Sequence, residues 1–552
     1  MKKILALMLS LLIAGSCVLT GCGNNSESTD GSSATEAVDK VSDPIENIQA
    51  TASTDKYRNF YQIFVYSFCD SDGDQVGDLQ GIISQLDYLN DGDPNTGDDL
   101  GVDGIWLTPI MPSKSYHKYD VENYYDIDPE FGTLEDMDQL IAECDKRGIK
   151  LIIDLVLNHI SSSHPLFIQA KEEIADNKLD GAAEYFEIHS PSYFDGNTVI
   201  SHLSNGYAVE ANFSFEMPEW NLNSEKTRAE FENIAKFWLE RGVDGFRLDA
   251  IKYYNNKDTD GTEFLKWFYD TSKKYNPDVY MVGECWDDDS VIEGFYNSGI
   301  DSQFAFKFSS TSGQFVETIN TQAGSGLVKK AMNYDNKMKD INPNAINAYF
   351  LSNHDQVRIA NALEPNGLDY QKFAASVYML LPGNSYTYYG EEIGLKAPNT
   401  TNDASYRGAM IFDSENLPDI FVNGIGDEHD APTYGGVKQQ LADESSLLNH
   451  YRRIIKIKNQ NPEIARGKIT EMVNFDNKQI GAYKVEYNGS TLIVAHNFNK
   501  TTDVTITVTD EIMKNPTVRA DLLTTENSKH IKIEDGKIIL PPHSSVILKS
   551  AE

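Results

Sequence analysis

Along most of this chain, short apolar runs alternate with longer segments whose apolar residues recur at helical spacing. Residues 61–68 read as a strand and 78–89 as a helix. Residues 104–108 form a short apolar run, and 133–147 carry a helical pattern. Residues 150–157 are apolar apart from Asp154, as expected of a strand buried on both faces. The alternation continues with a helix over 225–241, a strand over 243–250, a helix over 262–275 and a strand over 279–285. Residues 345–351 and 385–390 read as strands, 370–381 and 447–459 as helices. Repeated strand–helix units imply a parallel sheet, most economically closed into a barrel. Residues 160–218 break the rhythm and are too long for a plain loop, so they read as a small domain inserted after the third strand. Near residue 469 the period changes to two. Tyr483, Val485 and Tyr487 alternate, Asn488-Gly489 turns, and 492–496 returns. An antiparallel β-sandwich is expected there. The resulting division is 56–159 and 219–466 for the barrel, 160–218 for the insertion and 467–552 for the sandwich.

The N-terminus changes the picture of location. Lys2 and Lys3 precede a short apolar stretch, and residues 1–21 read as a signal peptide rather than a membrane span. Leu19-Thr20-Gly21-Cys22 resembles a bacterial lipobox, which implies lipidation of Cys22 after cleavage. Residues 22–55 are rich in Ser, Thr, Asn, Asp and Glu and read as a tether. The expected product is an extracytoplasmic lipoprotein at the cell surface, held to the membrane by lipid alone, and a monomer. Lys and Arg number 47 against 84 Asp and Glu, a net charge of −37, which repels nucleic-acid phosphates and argues against that partner. Cys69, Cys144 and Cys285 lie far apart, and no disulfide framework is expected.

Candidate chemistry gathers at strand ends. In Phe246-Arg247-Leu248-Asp249 residues two apart share a face, so Arg247 and Asp249 point the same way. A guanidinium beside a carboxylate favours its ionised form, as a nucleophile requires. Glu284 ends the apolar run 279–283; a general acid there needs apolar walls, which Trp286 could supply. Asn353-His354-Asp355 and Asp154 with Asn158-His159 end two further strands. Carboxyl groups held at fixed separations suit cleavage of a bond between sugars. In Asp70-Ser71-Asp72-Gly73-Asp74-Gln75-Val76-Gly77-Asp78, acids at alternate positions with tight bends between them could wrap a hard cation, Val76 lending its carbonyl.

The segments DLVLNH, GFRLDA, GECW and FLSNHD, in this order, resemble the four signature regions of the α-amylase family, glycoside hydrolase family 13. The resemblance runs from about Tyr57 to the C-terminus. It implies a (β/α)8 barrel, a domain B after the third strand and a C-terminal β-sandwich. It implies that Asp249 is the nucleophile, Glu284 the acid/base and Asp355 the residue that binds the sugar's 2- and 3-hydroxyls. Arg247 then orients Asp249, His159 and His354 hydrogen-bond the sugar, Tyr119 stacks beneath it, and Asp154 is architectural. His117 and Asp120 match positions of the oligo-1,6-glucosidase-like branch. The loop of Asp70, Asp72, Asp74, Val76 and Asp78 resembles a Ca²⁺ site of that branch. A second Ca²⁺ site is in doubt, because Tyr253 stands where many members have a histidine.

Ala250, after the nucleophile, is as in members that cleave α-1,4 bonds, and Lys252 matches a lysine contacting the sugar beyond the cleaved bond. Met217-Pro218-Glu219-Trp220-Asn221 resembles a region found between the oligo-1,6-glucosidase and neopullulanase branches. The expectation is a retaining α-amylase acting on internal bonds of starch or maltodextrin. An exo-acting α-glucosidase or oligo-1,6-glucosidase is the alternative, and a transglycosylase would share the same residues. A non-catalytic glucan-binding lipoprotein is the reading from another class.

Overall fold

The computed structural model describes residues 55–551 except 95, 98, 197, 422–431 and 526–528. The signal peptide, Cys22 and the tether through residue 54 lie outside the described residues. Eight parallel strands form one sheet: Asn59–Ile63, Gly104–Leu107, Lys150–Leu155, Gly245–Leu248, Tyr280–Gly283, Ser302–Gln303, Ala348–Phe350 and Asn384–Tyr388. The first strand pairs with the eighth, and a bridge from Phe304 to Ala348 joins the sixth to the seventh, so the sheet is a closed (β/α)8 barrel.

Side-chain parity explains which residues enter the ring. Phe60, Trp106, Ile152, Tyr280, Val282 and Tyr386 form an interior apolar cluster. Their neighbours Tyr61, Ile105, Leu107, Leu151, Ile153 and Met281 join the layer beneath the helices. On the fourth strand Phe246 and Leu248 belong to that outer layer, which turns Arg247 inward. The same parity carries Asp154 inward after Ile152.

Several elements are shorter than the apolar pattern suggests. The first strand ends at Ile63, and Val65–Ser67 is a helical turn. Apolar residues continue because that turn is itself buried, Tyr66 O accepting the Gly77 N–H at 2.7 Å. The helix read over 78–89 is two, Leu79–Ser84 and Leu86–Leu89, with Asp78 capping the first through Gly81 N. Helix Leu134–Arg147 starts at a capping box formed by Thr133 and Asp136. Helix Glu225–Arg241 matches its pattern residue for residue.

Between the third strand and that helix the insertion holds helix Pro165–Ala175 and a three-stranded antiparallel sheet, Ile188–His189, Ala208–Glu210 and Ile200–His202. The C-terminal region is two antiparallel sheets of five and three strands with a separate core that includes Ile493, Ile506, Ile538 and Leu548. Tyr483 Oη donates to Leu380 O at 2.7 Å, tying this region to the barrel. Cys69, Cys144 and Cys285 are free. No helix among the described residues is long and apolar enough to cross a membrane.

Candidate active site

At the carboxyl ends of the third, fourth and fifth strands, one guanidinium meets three carboxylates. Arg247 Nη1 lies 2.9 and 3.0 Å from the two oxygens of Asp154 and 2.6 Å from Asp249 Oδ1. Its Nη2 lies 3.2 Å from Glu284 Oε2. Asp249 and Glu284 are therefore within the reach of a single side chain. The turn after Asp249 reinforces this. Ala250 has a φ of +51°, and its N–H donates to Glu284 Oε2 at 2.8 Å. Left-handed backbone at a non-glycine residue persists only where its surroundings enforce it.

Burial pushes the Glu284 carboxyl up to about 8, Arg247 opposing and the charges of Asp249 and Asp355 adding to the rise. Asp154, fully buried, is pushed up to about 7, again by burial first and against the pull of Arg247. Trp286, offered by the sequence as a wall for Glu284, lies past the extended part of the strand. The strand ends at Gly283, two-residue parity lapses, and the indole turns outward, 45% exposed and stacked on Phe306 at 5.0 Å.

A second chain of hydrogen bonds crosses the cleft. Gln62 Nε2 meets His354 Nδ1 at 2.7 Å, His354 Nε2 meets Tyr119 Oη at 2.6 Å, and Tyr119 Oη donates to Asp154 Oδ2 at 3.0 Å. With the Gln62 amide donating, the His354 proton sits on Nε2 and is given to Tyr119. Burial lowers His354 to about 3, so its imidazole is neutral at pH 7. Tyr119 and His354 stack at 5.6 Å with an angle of 6°. Asp355 Oδ2 is 3.2 Å from His354 Nε2, and its Oδ1 is 2.9 Å from Arg407 Nη2. Burial works to raise Asp355, but His354, Arg407 and Arg247 outweigh it and hold the carboxyl below its ordinary range.

The remaining sequence candidates surround this core. His159 is buried with Nε2 unpartnered, and burial lowers its pKa. Residue Glu219, of the 217–221 segment, bridges to His159 through the backbone. His117 Nδ1 accepts the Tyr119 N–H at 3.1 Å, and burial lowers this ring to about 4. Asp120 is buried, its Oδ1 accepting from Ser113 at 2.5 Å and from Ser115. Lys252 Nζ donates to Trp286 O at 3.2 Å and lies 3.8 Å from Asp287 Oδ2. Sequence reasoning missed Arg407, Gln62 and Tyr116, which accepts from Arg407 Nη1 at 2.7 Å. Gln62 had a signal: a polar side chain in an apolar strand, on the inward parity of Phe60.

The acidic loop gathers three of its four candidate carboxylates. Oxygens of Asp70, Asp72 and Asp78 lie within 4.8 Å of one another. Asp74 stands outside that group, its Oδ1 accepting the N–H of the buried Val76 at 2.9 Å. Three hard, negatively charged oxygens drawn together suit a Ca²⁺ ion better than a soft transition metal.

The guanidinium is the counter-charge for a buried Asp154. Arg247→Met is expected to lower stability by about 3–5 kcal/mol, and adding Asp154→Asn should restore part of the loss. Thermal melts of the single and double variants check this; equal melting of Arg247→Met and the parent would overturn it.

Residues 62–467 match the family model described as the α-amylase catalytic domain, and 480–547 match the α-amylase SusG C-terminal domain. The chain is 36% identical to Alpha-amylase 3 of Dictyoglomus thermophilum, over 89% of this chain and 93% of that protein. It is 27% identical to an oligo-1,6-glucosidase of Bacillus cereus, over 79% and 89%. The solved structure of Eubacterium rectale Amy13B superposes with a TM-score of 0.83 at 35% identity, covering 92% of this chain and 98% of that one. With the matched catalytic domain spanning the barrel and every signature carboxylate at its strand ends, the chain belongs to the α-amylase family of glycoside hydrolases.

Proposed function

We propose that the protein is a retaining α-amylase that hydrolyses internal α-1,4 bonds of starch and maltodextrins. The observation that carries this reading is the single Arg247 guanidinium contacting both Asp249 and Glu284 at the ends of neighbouring strands. Retaining glycosidases hold their two carboxyl groups about 5–5.5 Å apart, a spacing suited to one shared cation. Asp249 attacks the anomeric carbon while Glu284 protonates the leaving oxygen. Glu284 then takes a proton from water, which attacks the same carbon and releases Asp249. Asp355, fixed by Arg407, faces the hydroxyls of the sugar being transferred, and Tyr119 with His354 forms the floor beneath it.

Family relatives named for α-1,6 action leave bond choice to be measured, and Asp120 supports the alternative of an exo-acting α-glucosidase or oligo-1,6-glucosidase. Ala250 supports α-1,4 action through the resemblance, and its left-handed backbone is harder for a β-branched residue to adopt. The loop of Asp70, Asp72 and Asp78 would hold Ca²⁺, a structural ion fixing the start of helix Leu79–Ser84, which Asp78 caps. A lipid on Cys22 would keep the enzyme at the cell surface, where polymers too large to import are met.

On amylose, mixed maltooligosaccharides should appear early, the first of them as α-anomers by NMR; glucose alone, or β-anomers, would overturn the reading. Asp249→Asn should abolish hydrolysis. Glu284→Gln should lose about 10²- to 10⁴-fold in kcat. Because the acid must be protonated, kcat/KM should hold below the raised Glu284 value and fall as pH rises through about 8, a limb absent in Glu284→Gln. Chelation should lower the melting temperature reversibly, by about 2.7 kcal/mol of stability for an ion at a hundred times its Kd, and Asp72→Asn should blunt that response. Cys22→Ser should move the protein from membranes to the soluble fraction; unchanged fractionation would remove the lipid anchor.

A further inference from the structure

The loop between the second strand and helix Leu134–Arg147 carries two site residues, His117 and Tyr119, on either side of a lysine in an unusual state. Lys118 has a φ of +62° and is 2% exposed. Its ammonium has three protons and meets three acceptors: Asp128 Oδ2 at 2.9 Å, the Glu130 carboxylate, and Ser113 O at 3.4 Å. Asp128 draws the same loop inward, its Oδ2 accepting the Ser113 N–H and its Oδ1 the Glu130 N–H, each at 3.0 Å. Phe131 covers the ammonium at 5.3 Å. The loop is thus tied to itself through one buried cation.

Left-handed backbone is unfavourable for a long side chain, and a buried ion pair gains little net stability over packed apolar residues. Both features are accounted for if the turn they enforce is what matters. That turn directs Lys118 into the loop while its neighbour Tyr119 enters the cleft, where a hydroxyl must reach Asp154 Oδ2 at 3.0 Å and His354 Nε2 at 2.6 Å together. It also closes the Tyr119 N–H onto His117 Nδ1 at 3.1 Å. We propose that Lys118, which touches none of the reacting groups, is a positioning residue that sets Tyr119 against the donor sugar through its ion pairs with Asp128 and Glu130. The inference rests on the hydrolytic reading of the site, which Asp249→Asn tests independently.

The test is a double-mutant cycle on a defined maltooligosaccharide, with Lys118→Met made in the parent and in Tyr119→Ala. In the parent, kcat should fall about 10- to 100-fold, the scale of a misplacement near 1 Å, with the melting temperature still above that of the assay. In Tyr119→Ala the further loss should be less than about threefold, because the residue Lys118 acts through is gone. Lys118→Arg should recover most of the parent's kcat. A Lys118→Met enzyme within about twofold of the parent, or losses that multiply undiminished on Tyr119→Ala, would overturn the proposal. Should Lys118→Met not fold, Glu130→Gln at the half-exposed end of the network carries the same cycle. A loss in the parent that disappears in Tyr119→Ala supports the role, and any other pattern refutes it.

Discussion

A single buried cation facing three carboxyl groups is the constraint from which the rest of the site follows. Arg247 contacts Asp154, Asp249 and Glu284 at the ends of three successive strands. One positive charge cannot balance three negative ones in a place with little water, so the cluster keeps protons that isolated carboxyls would lose near neutrality. Glu284, pushed up to about 8, and Asp154, pushed up to about 7, therefore share one guanidinium without any group being exotic. The barrel supplies the convergence: adjacent parallel strands end side by side, and inward parity delivers one side chain from each.

Much of this was legible in the chain itself. Arg247 and Asp249 had to share a face once 245–248 was a strand, and Asp154 interrupted a run that could only be buried. Parity worked while the backbone stayed extended and failed where it did not. Trp286, two residues past Glu284, falls beyond the strand, and its indole is 45% exposed against Phe306. Loop residues gave the least signal. Arg407 fixes Asp355 from a segment without periodicity, and its role depends on a contact 52 residues away in sequence. Lys118 could be numbered among site neighbours, but its burial and left-handed backbone belong to the folded loop alone.

The division of labour follows the same line. Strand ends carry the clustered carboxyl groups, Asp154, Asp249 and Glu284, around Arg247. Around them stand the turn at Ala250, the insertion that brings Glu219 beside His159, and the loop bearing His117 and Asp120. These segments can change without disturbing the ring that holds the carboxylates.

The ring has one place where its own backbone contributes least. The sixth strand is two residues long, and a bridge from Phe304 to Ala348 joins it to the seventh. What packs that join is aromatic: Phe304 lies 4.9 Å from Tyr386, 5.3 Å from Trp106 and 5.4 Å from Phe350. Two amide bonds also cross the join, Ile346 N–H to Asp301 O at 2.8 Å and Ala305 N–H to Ala348 O at 3.0 Å, and the aromatic share of the closure draws on a driving force that weakens on cooling. The sixth strand should therefore be the part of the cylinder that loosens first in the cold, beside the very strand that leads into Glu284.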